Sequence, residues 1–394
     1  MKFPKVEREN FVLFFVTFFM GLSLGITGPI LPEIRSEFNL TYSTVALVLS
    51  SFGFARLILT LPSGYLYGRT SRKRLLSIGI TLLAVGAAIA GLSHSFVEFI
   101  VSQVIMGAGF SICLMTIMIS LSTSATVKNR GSVLGMNAFS RTAASVVAPI
   151  IAGFIAVAFN WRYAFLFYAI VMLFFLALVF TTMFKDKKIV SKDNSSKYRP
   201  SNAIISVFFA IFIIFIVGAG FRGTIIPLYS RDVLNMNTAA IGMVMSVSSL
   251  IYLFIGPASA FLSDRHGRKF FLSLGILLTA VSLVMFLFIT TVTHLVILSI
   301  VLGFSMITYV IPAAMIGDMT RNIKKDFSIM RFVSELGFVF GPVILGVVAD
   351  VYGFKATAIV ACVLTVLSFI AIEIFVKEEK HHLNWRKVLQ LSED

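Results

Sequence analysis

Residues 264–276 read DRHGRKFFLSLGI, and 196 positions earlier residues 68–80 read GRTSRKRLLSIGI. Arg69, Arg72, Lys73, Leu76, Ser77, Gly79 and Ile80 recur as Arg265, Arg268, Lys269, Leu272, Ser273, Gly275 and Ile276. At nearly the same offset GPILP (28–32) recurs as GTIIP (223–227). A short basic connector leads into an apolar run in each copy, so the chain repeats one plan twice.

Working outward from these connectors, apolar runs of about 20 residues, the length that spans a bilayer, fall near 11–32, 42–66, 74–92, 96–123, 132–157 and 163–184. Six more follow near 203–229, 238–262, 270–291, 293–317, 328–350 and 355–376. The pattern predicts an all-α membrane protein of twelve transmembrane helices in two six-helix bundles. The bundles occupy 1–184 and 202–376, a polar linker occupies 185–201, and a polar tail runs from 377 to 394. With 58% hydrophobic and 13% charged residues, the chain is too apolar to present a largely polar surface to water. A closed barrel would instead show short alternating segments. The run after MKFPKVEREN is long enough to span and lacks a small-residue cleavage pattern, so it reads as a helix and not as a signal peptide.

A formal net charge of +15 would point to nucleic acid in a soluble protein. Here position decides against it, because 25 Lys and Arg fall in connectors on one side of the spans and 4 on the other. The excess puts both termini and the linker in the cytoplasm, and the protein in the cytoplasmic membrane with both bundles crossing it. Cys113 and Cys362 sit far apart in apolar runs and read as small buried hydrophobes. No metal-ligand spacing and no phosphate-cradling Gly-Lys-Ser/Thr loop occurs, so no metal, cofactor or nucleotide is expected.

Ionisable groups inside spans are costly and mark functional positions. Four arginines qualify, Arg56, Arg141, Arg222 and Arg331, against one interior carboxylate, Glu335. Arg331 and Glu335 are spaced i, i+4 and share a helix face, as a self-neutralising pair or as a proton-coupling site. The other three arginines have no acidic partner on their own helix, so each needs a carboxylate on another helix, a solute anion, backbone carbonyls or water. Asn137 and Gln103, with Ser140, Ser145 and Tyr309, are polar residues that either line a cavity or bond between helices.

Asp264, Arg265, Gly267, Arg268 and Lys269, in the connector after the second span of a half, resemble the signature of the major facilitator superfamily. The first half keeps Gly64, Arg69, Arg72 and Lys73 but carries Gly68 in place of the acid. The resemblance covers essentially the whole chain and implies a secondary transporter that works by alternating access. These carboxylate and basic groups would then form a conformational latch, pairing with helix ends of the neighbouring bundle in one state only. Pro149 with Gly153, and Gly341 with Pro342 and Gly346, resemble the family's packing and bending motif of exporting antiporters.

The resemblance therefore implies proton-coupled efflux of drugs or metabolites by a monomer whose partners are a small solute, protons and the bilayer. Uptake or exchange of a small organic anion is the alternative, favoured by the excess of interior Arg over Glu. An intramembrane enzyme is a remote third reading.

Overall fold

A bilayer offers backbone groups no water, so each apolar run must close its own hydrogen bonds as helix. The computed structural model describes residues 8–67, 69–124, 130–181, 200–320 and 322–377, and nearly all of these are helical. Gly68, Lys128, Arg321, most of the linker and most of the tail lie outside the described residues.

The first half contains α1 (Arg8–Glu37), α2 (Tyr42–Tyr67), α3 (Arg72–Leu92), α4 (Phe96–Ser124), α5 (Arg130–Ala158) and α6 (Trp161–Thr181). The second contains α7 (Asn202–Asp232), α8 (Thr238–His266), α9 (Arg268–Phe286) and α10 (Val292–Met319). A 53-residue helical stretch, Ile323–Phe375, completes it. That stretch is interrupted at Gly353, whose φ of 80° and ψ of 173° are non-helical. A straight helix of this length would reach about 80 Å, far more than a bilayer. The chain turns back at Gly353, because Glu373 near its end meets Lys269 at the start of α9. The two arms are α11 (323–352) and α12 (354–375), giving the twelve spans.

Polar side chains start these helices: Ser71, Ser201, Asn237, Thr291 and Asn322 each accept from a backbone N–H of the first turn. Gly267 ends α8 and starts α9 at φ 102°, a conformation that a side chain would strain. Several boundaries differ from the sequence expectation: α9 ends at Phe286 and not near 291, and α11 starts at Ile323 and not near 328. α1 runs on to Glu37 instead of stopping at Pro32, with Pro29 and Pro32 inside it. Each proline removes a single ladder bond, and packing on both sides carries the helix through.

The repeat is visible in three dimensions. Asn39 and Asn235, 196 positions apart, take left-handed φ values of 51° and 52° at matching turns, a conformation that Asn tolerates better than most residues. Lys73 donates to the Phe180 carbonyl and Lys269 to the Glu373 carbonyl, at equivalent places in the two bundles. The largest apolar core, around Phe99, Phe110, Trp161 and Phe165, belongs almost entirely to the first half. Two smaller cores belong to the second half. Each bundle therefore packs mainly on itself, which suits bodies that move relative to one another.

α7 departs from regular helix where its sequence predicts trouble. Gly218, Gly220, Gly223 and the ring of Pro227 weaken the α-helical ladder. Ile216–Ile225 is accordingly π-helical, and the Ile226 amide donates to Phe221, five residues back. Such widened turns recur at functional sites, and this one carries Arg222.

Candidate substrate and coupling site

Arg56 of α2 meets Arg331 and Glu335 of α11 between the halves, and Arg141 of α5 and Arg222 of α7 both act on Tyr252 of α8. Arg56 donates from Nη2 to Glu335 Oε1 at 2.6 Å, joining the two halves. Arg331 reaches the same oxygen at 3.1 Å from one turn earlier on α11. Glu335 is 2% exposed and Arg56 7%. The Arg56 guanidinium also lies 5.0 Å from the Phe110 ring centre and 4.9 Å from that of Phe338, an aromatic collar that suits a desolvated cation. Glu335 Oε2 is buried and finds no hydrogen-bond partner among the described residues.

Arg141 is exposed, and among the described residues no hydrogen bond or ion pair holds it. Its charge interacts with Tyr252, Arg56 and Arg331. Arg222 points Nη1 at the Met306 sulfur at 2.8 Å and interacts with Tyr252 and Tyr309. The rings of Tyr252 and Tyr309 stand 6.3 Å apart, and Phe215 lies edge-on to Tyr309 at 5.4 Å. The absence of a side chain at Gly218 admits the Tyr309 hydroxyl, which would stand 2.1 Å from a Cβ there.

The remaining sequence candidates divide. Asn137 is buried, accepting from Thr17 at 2.8 Å and approaching the Met118 sulfur, so it ties α5 to α1 and α4. Gln103 is buried against Ser102 and Met106 of its own helix, away from the arginine cluster. Tyr252, Phe110 and Phe338 had no distinguishing signal among 10 Tyr and 40 Phe, and proximity alone brings them to the site.

From the depth of Glu335 to the end opposite the basic connectors, the halves are stitched together. Ser50 donates to the Val339 carbonyl and Ser246 to the Val146 carbonyl, each at 2.6 Å. Beyond them the Asp350 carboxylate accepts from the Tyr42 and Ser43 amides at 2.8 and 2.9 Å, capping α2 from the other half. Asp232 pairs with Arg35 at 2.7 Å and accepts from the Tyr42 hydroxyl at 2.8 Å. Thr238 donates to Glu33.

Gly153 and Pro149 of the fifth span contribute to this seam. A Cβ on Gly153 would stand 2.6 Å from the Thr238 carbonyl oxygen, and one on Gly242 2.1 Å from that of Pro149. Gly346 lies against Tyr42 and Ser43 in the same way. Gly341 instead packs on Ile216 of α7 inside its own half, and Pro342 follows it within α11.

Toward the basic end no polar contact between described residues crosses from one half to the other, and Gly131, Gly135 and Gly317 face open space. The latch candidates pair within their own halves there. Arg268 bonds Asp318 at 2.7 Å and Asp264 at 3.0 Å, and Lys269 bonds Glu373 at 2.8 Å. Arg265 lies over the Phe261 ring. In the first half Arg72 pairs with Glu9 at 2.9 Å, Arg69 is exposed, and Gly64 lies in α2.

Twelve spans in two pseudo-repeated bundles around a charged centre define a class of membrane carrier. The Major Facilitator Superfamily model matches residues 13–238 and 207–389, and the chain belongs to that superfamily of transporters. Multidrug resistance protein 2 of Bacillus subtilis (strain 168) is 24% identical over 365 residues, covering 87% of this chain and 90% of that one. Quinolone resistance protein NorA of Staphylococcus aureus (strain COL) is 22% identical over 366 residues, covering 88% and 91%. Among solved structures, a bacterial homolog of the human lysosomal transporter Spinster, inward-facing and unoccupied, superposes with a TM-score of 0.79 at 12% identity, covering 95% of this chain and 98% of that one. The xylose transporter XylE from E. coli, inward open, gives 0.77 at 17% identity, covering 95% and 97%. At these identities the structural likeness speaks to the fold.

Proposed function

We propose that this transporter exports drugs or metabolites across the cytoplasmic membrane by alternating access, driven by proton entry. The observation that carries the reading is the Arg56–Glu335 bond: a buried ion pair whose two partners belong to different halves. The seam beyond it closes one end, and the open space at Gly131, Gly135 and Gly317 toward the basic end supports a carrier open to one compartment. Lys and Arg bias makes that compartment the cytoplasm. The names of the full-length relatives, a multidrug and a quinolone resistance protein, favour outward movement.

Coupling follows from the chemistry of the pair. Glu335 Oε1 serves both guanidiniums, and the unbonded Oε2 is the atom at which a proton adds. Protonation removes the charge that holds α2 to α11 at this depth, and loss of the proton to the cytoplasm restores it. A proton is thereby tied to a change in how the halves meet.

The test is transport by the purified protein in proteoliposomes under an imposed pH gradient. Glu335→Gln is expected to abolish gradient-driven accumulation while leaving solute counterflow at zero gradient measurable. A normal response to the gradient in that variant would remove Glu335 from the coupling path.

A further inference from the structure

The charge inventory of the centre does not balance. Arg56, Arg141, Arg222 and Arg331 bring four positive charges and Glu335 one negative, a formal surplus of +3. None of the other described acids bonds these arginines. Glu9, Asp232, Asp264, Asp318 and Glu373 pair with cations near helix ends. Glu37 holds Arg162, Asp350 caps α2, and Glu98 accepts from the His94 amide. Glu33 and Asp326 accept from Thr238 and Thr320.

Arg56 and Arg331 divide Glu335 between them, whereas Arg141 and Arg222 have no carboxylate at all among the described residues. Cations at the depth of a bilayer centre cost several kcal/mol unless water or an anion compensates them. A cationic solute would add to the surplus, and an anionic one would relieve it. Tyr252 feels the charge of both arginines and Tyr309 that of Arg222, and the two rings stand 6.3 Å apart.

We propose that the transported solute is an amphipathic organic anion, its carboxylate, sulfonate or phosphate held by Arg141 and Arg222 and its flat apolar body laid against Tyr252 and Tyr309. The planar guanidinium fork of arginine suits such anions, which accept two parallel hydrogen bonds. Arg141 comes from the first half and Arg222 from the second. A bound anion therefore bridges the bundles where Glu335 already does, and its arrival competes with Glu335 for positive charge. The assignment rests on the central cluster being the transport site, as proposed above.

The experiment compares two xanthene dyes of one ring frame and opposite charge, fluorescein and rhodamine 123. The full chain is reconstituted in liposomes of phosphatidylcholine and phosphatidylethanolamine, which carry no net charge and so exclude a lipid anion as the occupant. Counterflow of each dye and the dye-induced shift in unfolding temperature are measured for the wild type and for Arg141→Gln, Arg222→Gln and Arg141→Lys. Fluorescein is expected to exchange and to stabilise the protein. Arg141→Gln and Arg222→Gln should each weaken it by about tenfold, the scale of one charge-assisted hydrogen bond, with Arg141→Lys recovering part of the loss.

Exchange of rhodamine 123 without fluorescein overturns the anion assignment and leaves the carrier reading standing. Fluorescein exchange that is indifferent to both Gln variants overturns the placement at Arg141 and Arg222. Failure of both dyes to be transported and to stabilise the protein overturns the assignment together with the reading it rests on.

Discussion

Arg56 and Glu335 stand 279 positions apart in the chain and 2.6 Å apart in the fold. Glu335 has Arg331 one turn away on its own helix, yet its shorter bond goes to the arginine of the other bundle. Removing one partner of a buried pair leaves an uncompensated charge, at a cost of about 3–5 kcal/mol. Here Arg331 softens that cost by keeping its own bond. Arg56→Gln should lower the unfolding temperature in detergent by several degrees, and Arg56→Lys should lower it less. Equal unfolding temperatures for the three proteins would show that the pair holds nothing together.

At the closed end, Asp350 does for α2 what a capping residue of its own chain segment would do, but from the opposite half. The cap joins the two halves at the end that is shut here, so opening this end would break it. Asp350→Asn removes the negative charge and worth of about 1 kcal/mol from the closed arrangement, shifting the balance of states roughly fivefold toward opening at this end. Distances between spin labels on the α1–α2 and α7–α8 turns should report a larger separated fraction in the variant. An unchanged distribution would show that the cap does not bias the states.

Gly153 and Gly242 let α5 and α8 meet backbone to backbone. A leucine at either position meets a carbonyl that has no room to retreat, so the closed seam cannot form while each bundle still packs on its own core. Gly153→Leu should insert and fold, label readily at cysteines placed in the seam, and transport at a small fraction of the wild-type rate. Full transport by this variant would mean that the close approach is dispensable.

The Asp264 carboxylate is half exposed and shares Arg268 with Asp318. In the arrangement seen here its loss changes little, because Asp318 keeps Arg268 occupied at the shorter distance. A latch role requires Asp264 to find its partner only when the basic end closes. Asp264→Asn should therefore leave the unfolding temperature within about a degree, since exposed pairs contribute little, and still slow transport several-fold at matched expression. Unchanged transport rates would confine this acid to a local bond.

The spans, the two-fold plan and the interior arginines were legible in the residues because a bilayer imposes strong rules on a chain. Long apolar runs, basic connectors on one side and the 196-residue repeat need no tertiary information. Glu335 also stood out, since a carboxylate in a spanning run is rare. Its spacing from Arg331 named one of its partners and gave no hint of the other.

The α1 end lay beyond the proline at which a local rule would stop it, because packing outweighs one missing hydrogen bond. Arg56 finding Glu335, Asp350 capping α2, and the aromatic collar from Phe110 and Phe338 each join residues far apart in the chain, and no local pattern encodes them. The bilayer's demand for self-satisfied helices let the amino-acid order alone determine twelve spans in two matching sets. Which end is closed, and which arginines are left without an acid, were decided only when the two bundles docked, because charge balance at the centre is a property of both halves together.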